Sequence, residues 1–235
     1  MQGGKDGGKD RETGRGGSVM ELRKDFHERL DELYAETLRM GSDLLATIEK
    51  TRICFVGLDR ALADEIIAGD DPFDAYIDRL EKGGLELIAL QAPVAMDLRM
   101  IIVIMRMAQH FERMADLCED IAQAVKHIPA DYVSDWIREA IDEMARRALR
   151  LVERSIECFK ERNVEMAREL GAMDDAVDKL HRKFFKEFDR GREEDLEVAV
   201  RVVMVARFFE RIADHAVDIG EHVRFMVEGT ISPDA

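Results

Sequence analysis

Cysteine, proline and aromatic side chains are scarce in this sequence. Its 235 residues include three cysteines, four prolines and one tryptophan, and aromatics make up 6%. Cys54, Cys118 and Cys158 stand far apart with no CxxC pair. That spacing argues against a thiolate metal site or a disulfide framework and reads as a cytoplasmic protein. No apolar run approaches the ~18 residues of a membrane span; the longest, Met100 to Met105, reads as a core segment. A basic-then-apolar leader is also missing, so direct membrane insertion is not expected. Positive charge is in deficit, with 35 Lys and Arg against 50 Asp and Glu and a net charge of −15. This balance argues against nucleic acid or an anionic lipid surface as the main partner. It suits cations or a basic protein surface. No Ser/His/Asp set, P-loop or dinucleotide fingerprint is present, so the chain is expected not to be an enzyme.

What is plentiful is Leu, Ala, Met, Glu and Arg, a composition that favours helix. Residues 1–19, with Gly-Gly-Lys-Asp repeated, cannot bury a core and read as a disordered tail. Met20 is a candidate start, the segment before it then being an upstream extension. Apolar positions recur at three and four residues from about Glu21 to Val56, where Gly57 would end the first helix. Asp59 is a candidate cap for a second helix to about Ala92, broken near Gly69-Asp70-Asp71-Pro72. A third helix is predicted from about Val94 to Lys126, a fourth over 131–162, a fifth from Asn163 to about Asp189, and a sixth from about Glu193 to Glu228. The expected fold is all-α, six helices forming two repeated antiparallel three-helix bundles, at 20–128 and 129–235.

The repeat is visible in two boxes. Phe111-Glu112-Arg113-Met114-Ala115-Asp116-Leu117-Cys118-Glu119-Asp120-Ile121 returns 98 residues later as Phe209-Glu210-Arg211-Ile212-Ala213-Asp214-His215-Ala216-Val217-Asp218-Ile219. Asp59–Asp71 matches Asn163–Asp175 at an offset of 104, and Ile77-Asp78-x-Leu80 matches Val177-Asp178-x-Leu180 at an offset of 100. The change of offset implies a four-residue insertion, Pro72 to Ala75, in the first copy.

In each box acids stand at i, i+4 and i+8: Glu112, Asp116 and Asp120, then Glu210, Asp214 and Asp218. On a helix they project at about 0°, 40° and 80° and form one stripe. Like charges at i,i+4 cost a few tenths of a kcal/mol per pair, and a bound cation offsets that cost. The preceding helices supply Asp70, Asp71, Asp74 and Asp78 in the first copy and Asp174, Asp175 and Asp178 in the second. Asp74 precedes the turn at Pro93 by 19 residues and Glu112 follows it by 19. Asp174 precedes Gly191 by 17 residues and Glu210 follows it by 19. The acids of each hairpin are therefore expected at one level, as a surface site of four to six carboxylates, twice. Oxygen-only sites suit hard cations such as Mg²⁺, Ca²⁺, Mn²⁺ or iron.

Other readings are weaker. A ferritin-like di-iron centre needs repeated Glu-x-x-His pairs, and Asp178-x-x-His181 is the sole close match. His215 and His110 are expected as surface histidines. Arg113 and Arg211, each following the leading Glu, are expected to form helix-surface ion pairs.

Leu90-Gln91-Ala92-Pro93-Val94-Ala95-Met96-Asp97-Leu98-Arg99, together with the two Glu-Arg-x-x-Asp boxes, resembles PhoU proteins over about residues 21–228. The resemblance implies two three-helix bundles, with paired Glu/Asp-x-x-x-Asp motifs holding metal clusters of iron or, alternatively, Mg, Mn, Ca or Zn. It also implies a cytosolic regulator, often dimeric, that restrains the phosphate ABC transporter, through its ATPase subunit, and the sensor histidine kinase of the phosphate regulon. The second copy has Glu193-Glu194-Asp195-Leu196-Glu197 where the first has Pro93 and Arg99, so that turn is less typical of the family.

Overall fold

The computed structural model of the chain describes residues 13–69, 71–190 and 195–229. Among the described residues seven helices follow in order: α1 (Thr13–Gly57), α2 (Arg60–Ile67), α3 (Asp71–Gln91), α4 (Ala95–Lys126), α5 (Asp135–Glu161), α6 (Val164–Arg190) and α7 (Leu196–Glu228). The fold is all-α, and α2 with α3 form the second, broken helix that Gly69 and Pro72 predict. α1 packs on α2, α3 and α4, and α5 packs on α6 and α7. The repeats join where α4 meets α7 and α1 meets α5. Among the described residues no helix is long and apolar enough to cross a membrane.

Local chemistry explains the helix ends, and it does so in duplicate. The Asp59 carboxylate accepts from the Ala61 and Leu62 amides, and Asn163 Oδ1 accepts from the Glu165 and Met166 amides. Each occupies unpaired donors of a helix start. Before each cap a non-glycine residue takes the left-handed region, Leu58 at φ 46° and Arg162 at φ 52°. Gly57, expected as the stop, is instead the last helical residue. The Cys54 thiol donates to the Asp59 carbonyl and the Cys158 thiol to the Asn163 carbonyl. Burial pushes these thiols up to about 11 and about 12, so they are inert.

Buried positions set the register of the duplication. Thr51, Cys54 and Phe55 on α1 match Ser155, Cys158 and Phe159 on α5, all 104 residues apart. The same offset carries through the next helices: Ile66, Phe73 and Leu80 are the counterparts of Leu170, Val177 and Phe184. The four-residue insertion at Pro72 to Ala75 is therefore overturned. The offset falls from 104 to 98 only between α3 and α4. A second correction concerns the tail: α1 begins at Thr13, so residues 13–19 are helical and only 1–12 lie outside the described residues. Adding a residue to an existing helix costs far less than nucleating one. The fourth helix starts at Asp135, after Ser134, rather than near 131. The Pro-x-x-x-Asp-Leu-Arg segment ties the repeats together: Arg99 Nε donates to the Met226 carbonyl, 2.9 Å away near the end of α7. Gly229, at φ 75°, closes that end, and a Cβ there would lie 2.9 Å from Arg99 Nη1.

Candidate metal centre

α6 and α7 bring carboxylates of the second repeat together. One oxygen each from Asp174, Asp178 and Asp214 lies within 4.8 Å of the others. Glu210, one turn before Asp214, is almost wholly buried at 6% exposure. Its neighbours are Arg207, which pairs with it, and His181, whose Nδ1 lies 4.0 Å from Glu210 Oε1. Burial, then the charge of Asp214, raises Glu210 to about 7; burial, then Asp214 and Asp178, raises Asp174 to about 6. Asp214 is also raised, by burial first. His181 is lowered by burial and by Arg207.

The hydrogen-bond account does not close here. Among the described residues six buried side-chain atoms make no hydrogen bond, and three of them are Asp174 Oδ1, Glu210 Oε2 and His181 Nε2. A buried polar atom left unpaired costs about 1–3 kcal/mol. Unpaired acceptors on Asp174 and Glu210, on the two helices that carry the carboxylate group, are open to a cation.

Not every acid of the sequence pattern joins this group. Asp218 turns to His110 and His215 instead, 3.9 and 3.7 Å from their Nδ1 atoms. Asp120, its counterpart, lines an apolar groove with Leu196, Val200 and Met204. Asp175 is exposed. In the first repeat Asp74 and Asp78 are exposed, and Glu112 and Asp116 are 21% and 40% exposed. Arg113 pairs with both, at 3.6 and 3.4 Å. Asp70 lies outside the described residues, and of Asp71 the structure gives only its place as the first residue of α3. At the 104 offset Asp70 and Asp74 are the counterparts of Asp174 and Asp178, whereas Asp78 is the counterpart of Arg182.

Three residues beside these acids were not anticipated there from the sequence. Arg207, not Arg211, pairs with the buried Glu210; its place one turn earlier, at i−3, was the available signal. His110 and His215 are not surface histidines. Their side chains are 18% and 19% exposed, and their Nδ1 atoms stand 3.2 Å apart.

The model of the PhoU domain family matches the chain twice, over residues 37–125 and 141–223. A phosphate-specific transport system accessory protein PhoU homolog 1 from Mycobacterium leprae is 31% identical over 215 residues, 91% of this chain and 97% of the relative. A PhoU homolog from Clostridium acetobutylicum is 31% identical over 88% of this chain and 96% of its own length. The crystal structure of the phosphate transport system regulatory protein PhoU from Streptococcus pneumoniae superposes with a TM-score of 0.82 at 24% identity, over 88% of this chain and 99% of that one. One match falls in each structural repeat, and the relatives align end to end, so the chain belongs to the PhoU family.

Proposed function

We propose that this chain is a non-catalytic regulator of phosphate uptake that acts by contact and carries a cation on its α6–α7 carboxylates. The regulatory reading is supported by family membership along nearly the whole chain and by relatives named as accessory proteins of phosphate-specific transport. The cation reading is carried by one observation: Asp174, Asp178 and Asp214 converge beside a buried Glu210 with acceptors left unpaired. Asp174, Asp178, Glu210 and Asp214 would hold the ion. Iron is the first candidate, and Mg, Mn, Ca or Zn are the alternatives. An all-oxygen set suits hard cations.

The ion would supply a local positive charge on a surface of net charge −15. Charge contrast of this kind governs partner choice and encounter rate. The proposed partners are the ATPase subunit of the phosphate ABC transporter and the phosphate-regulon sensor histidine kinase, restrained when phosphate is ample. The proposed setting is the cytoplasm, and the proposed form a homodimer. The test is a pull-down against both partners with cation-loaded protein, chelated protein and the Asp174→Asn/Asp214→Asn variant. The expected result is binding that weakens on chelation and in the variant. Equal binding by folded, cation-free protein would leave the ion a structural role, and no binding to either partner would overturn the regulator reading.

A further inference from the structure

Three histidines sit in the seam between the repeats, His110 from α4 and His215 and His222 from α7. At the 98-residue offset their counterparts are Phe208, Leu117 and Ala124, so the group is not a product of the duplication. His110 Nδ1 lies 3.2 Å from His215 Nδ1, and His110 Nε2 lies 3.1 Å from His222 Nε2. Asp218 Oδ2 stands 3.9 Å from His110 Nδ1 and 3.7 Å from His215 Nδ1.

Hydrogen bonding is one account of the ring contacts. A neutral imidazole has one N–H and one lone pair. A chain from His222 through His110 to His215 can satisfy both internal contacts in either direction. A bound ion accounts for the spacing and also for the carboxylate, since one ligand atom each from His110, His215 and Asp218 lies within 4.8 Å of the others. Two imidazole nitrogens on a tetrahedral zinc-like ion, at about 2.0–2.1 Å each, stand roughly 3.3–3.4 Å apart. The two Nδ1 atoms are already at 3.2 Å. A small rotation of Asp218 brings its oxygen into range, and the His110 Nε2–H then donates to His222. Such an outer partner orients a metal-binding imidazole.

We propose that His110 Nδ1, His215 Nδ1 and Asp218 Oδ2 form a site for a divalent cation of the zinc class, with His222 positioning His110. Two imidazoles and one carboxylate, with a fourth place open to solvent, suit such an ion. The oxygen-only group on α6 and α7 suits harder ones, so the molecule sorts cations by donor type. Arg106 brings a positive charge near His110 and His222, and Asp218 offsets it. Because the ligands come from both repeats, the ion would clamp α4 to α7.

The test is a Co²⁺ titration of the full chain followed by visible absorption, with Zn²⁺ as competitor. The expected spectrum is tetrahedral, displaced by Zn²⁺, and retained in Asp174→Asn/Asp178→Asn, which separates this site from the carboxylates. His110→Gln and His215→Gln should lose it, and His222→Gln should weaken Co²⁺ binding by roughly 10- to 100-fold. His110→Phe, which installs the residue of the other repeat, is a second variant in case His110→Gln fails to fold. A wild-type spectrum that is absent or octahedral would overturn the proposal. So would unchanged Co²⁺ binding in the folded His110 variants, or loss of the spectrum in Asp174→Asn/Asp178→Asn.

Discussion

The two repeats carry related acids on different backbones. In the second, Asp174 and Asp178 stand one turn apart on the unbroken α6. In the first, α2 ends at Ile67 and α3 begins at Asp71, so the counterpart Asp74 stands in the first turn of a new helix. Pro72 favours a helix start and disfavours a helix interior. One close contact differs as well. A Cβ on Gly220 would lie 2.5 Å from Leu170 Cδ1 and 3.3 Å from the Ala167 carbonyl, so α6 and α7 meet closely there. Ala122 stands at the equivalent place in α4. Glu210 is 8% exposed at its side chain and Glu112 is 21%. The same acidic motif therefore stands in two different settings. In the second repeat the motif lies on a continuous helix beside a buried Glu210; in the first, Asp74 lies in the first turn of α3 and Glu112 is more exposed.

The largest expected effect tests whether the second repeat dominates cation binding. An ion that binds only the native state at 100 times its Kd adds about 2.7 kcal/mol of stability. Urea denaturation with Mn²⁺ against chelator should show a gain of this order in wild type and in Asp74→Asn/Asp116→Asn. Asp174→Asn/Asp214→Asn should lose it. Next in size, Gly220→Ala should destabilise the chain by about 1–2 kcal/mol, in the lower part of the ~1–3 kcal/mol range for overpacking. Ala122→Gly in the first repeat should cost less, about 0.5–1 kcal/mol, from helix propensity.

A smaller effect depends on pH. Burial raises Glu210 from an ordinary value near 4.5 to about 7, so between those values the native state binds more protons than the unfolded state. Stability of the cation-free protein therefore falls as pH rises through that window, and the full penalty is present above about 7. Glu210→Gln should stabilise chelated protein by about 1 kcal/mol at pH 8 and give little gain at pH 5. Glu112→Gln should gain less, since Glu112 is more exposed and already faces Arg113 at 3.6 Å. The smallest effect sharpens the register. Asp78→Asn should change cation affinity less than about twofold, because Asp78 is the counterpart of Arg182, not of an acid, and a solvated surface substitution is near neutral.

The helices were legible because apolar positions recur along them every three or four residues, and the breaks at Gly69–Pro72 and near Pro93 are written in turn chemistry. The register of the second helix was not. Aligning Ile77-Asp78 with Val177-Asp178 slips α3 by four residues, close to the 3.6 of one helical turn. Such a slip nearly preserves the apolar pattern. Only the buried pairs Phe73 with Val177 and Leu80 with Phe184 distinguish the two registers. The convergence of α6 with α7 followed from hairpin arithmetic. The departure of Asp218 did not, since its partner His110 lies 108 residues away in the other repeat. Single histidines carry no periodic signal, and contacts between repeats are invisible to reasoning within either one.

The most direct test of the account is a calorimetric Mn²⁺ titration of chelator-stripped protein, comparing wild type with two double variants. The account predicts that Asp174→Asn/Asp214→Asn abolishes the tightest class of binding while Asp74→Asn/Asp116→Asn retains it. Equal losses in the two variants, or tight binding that survives in Asp174→Asn/Asp214→Asn, would contradict the claim that the second repeat holds the preformed cation site.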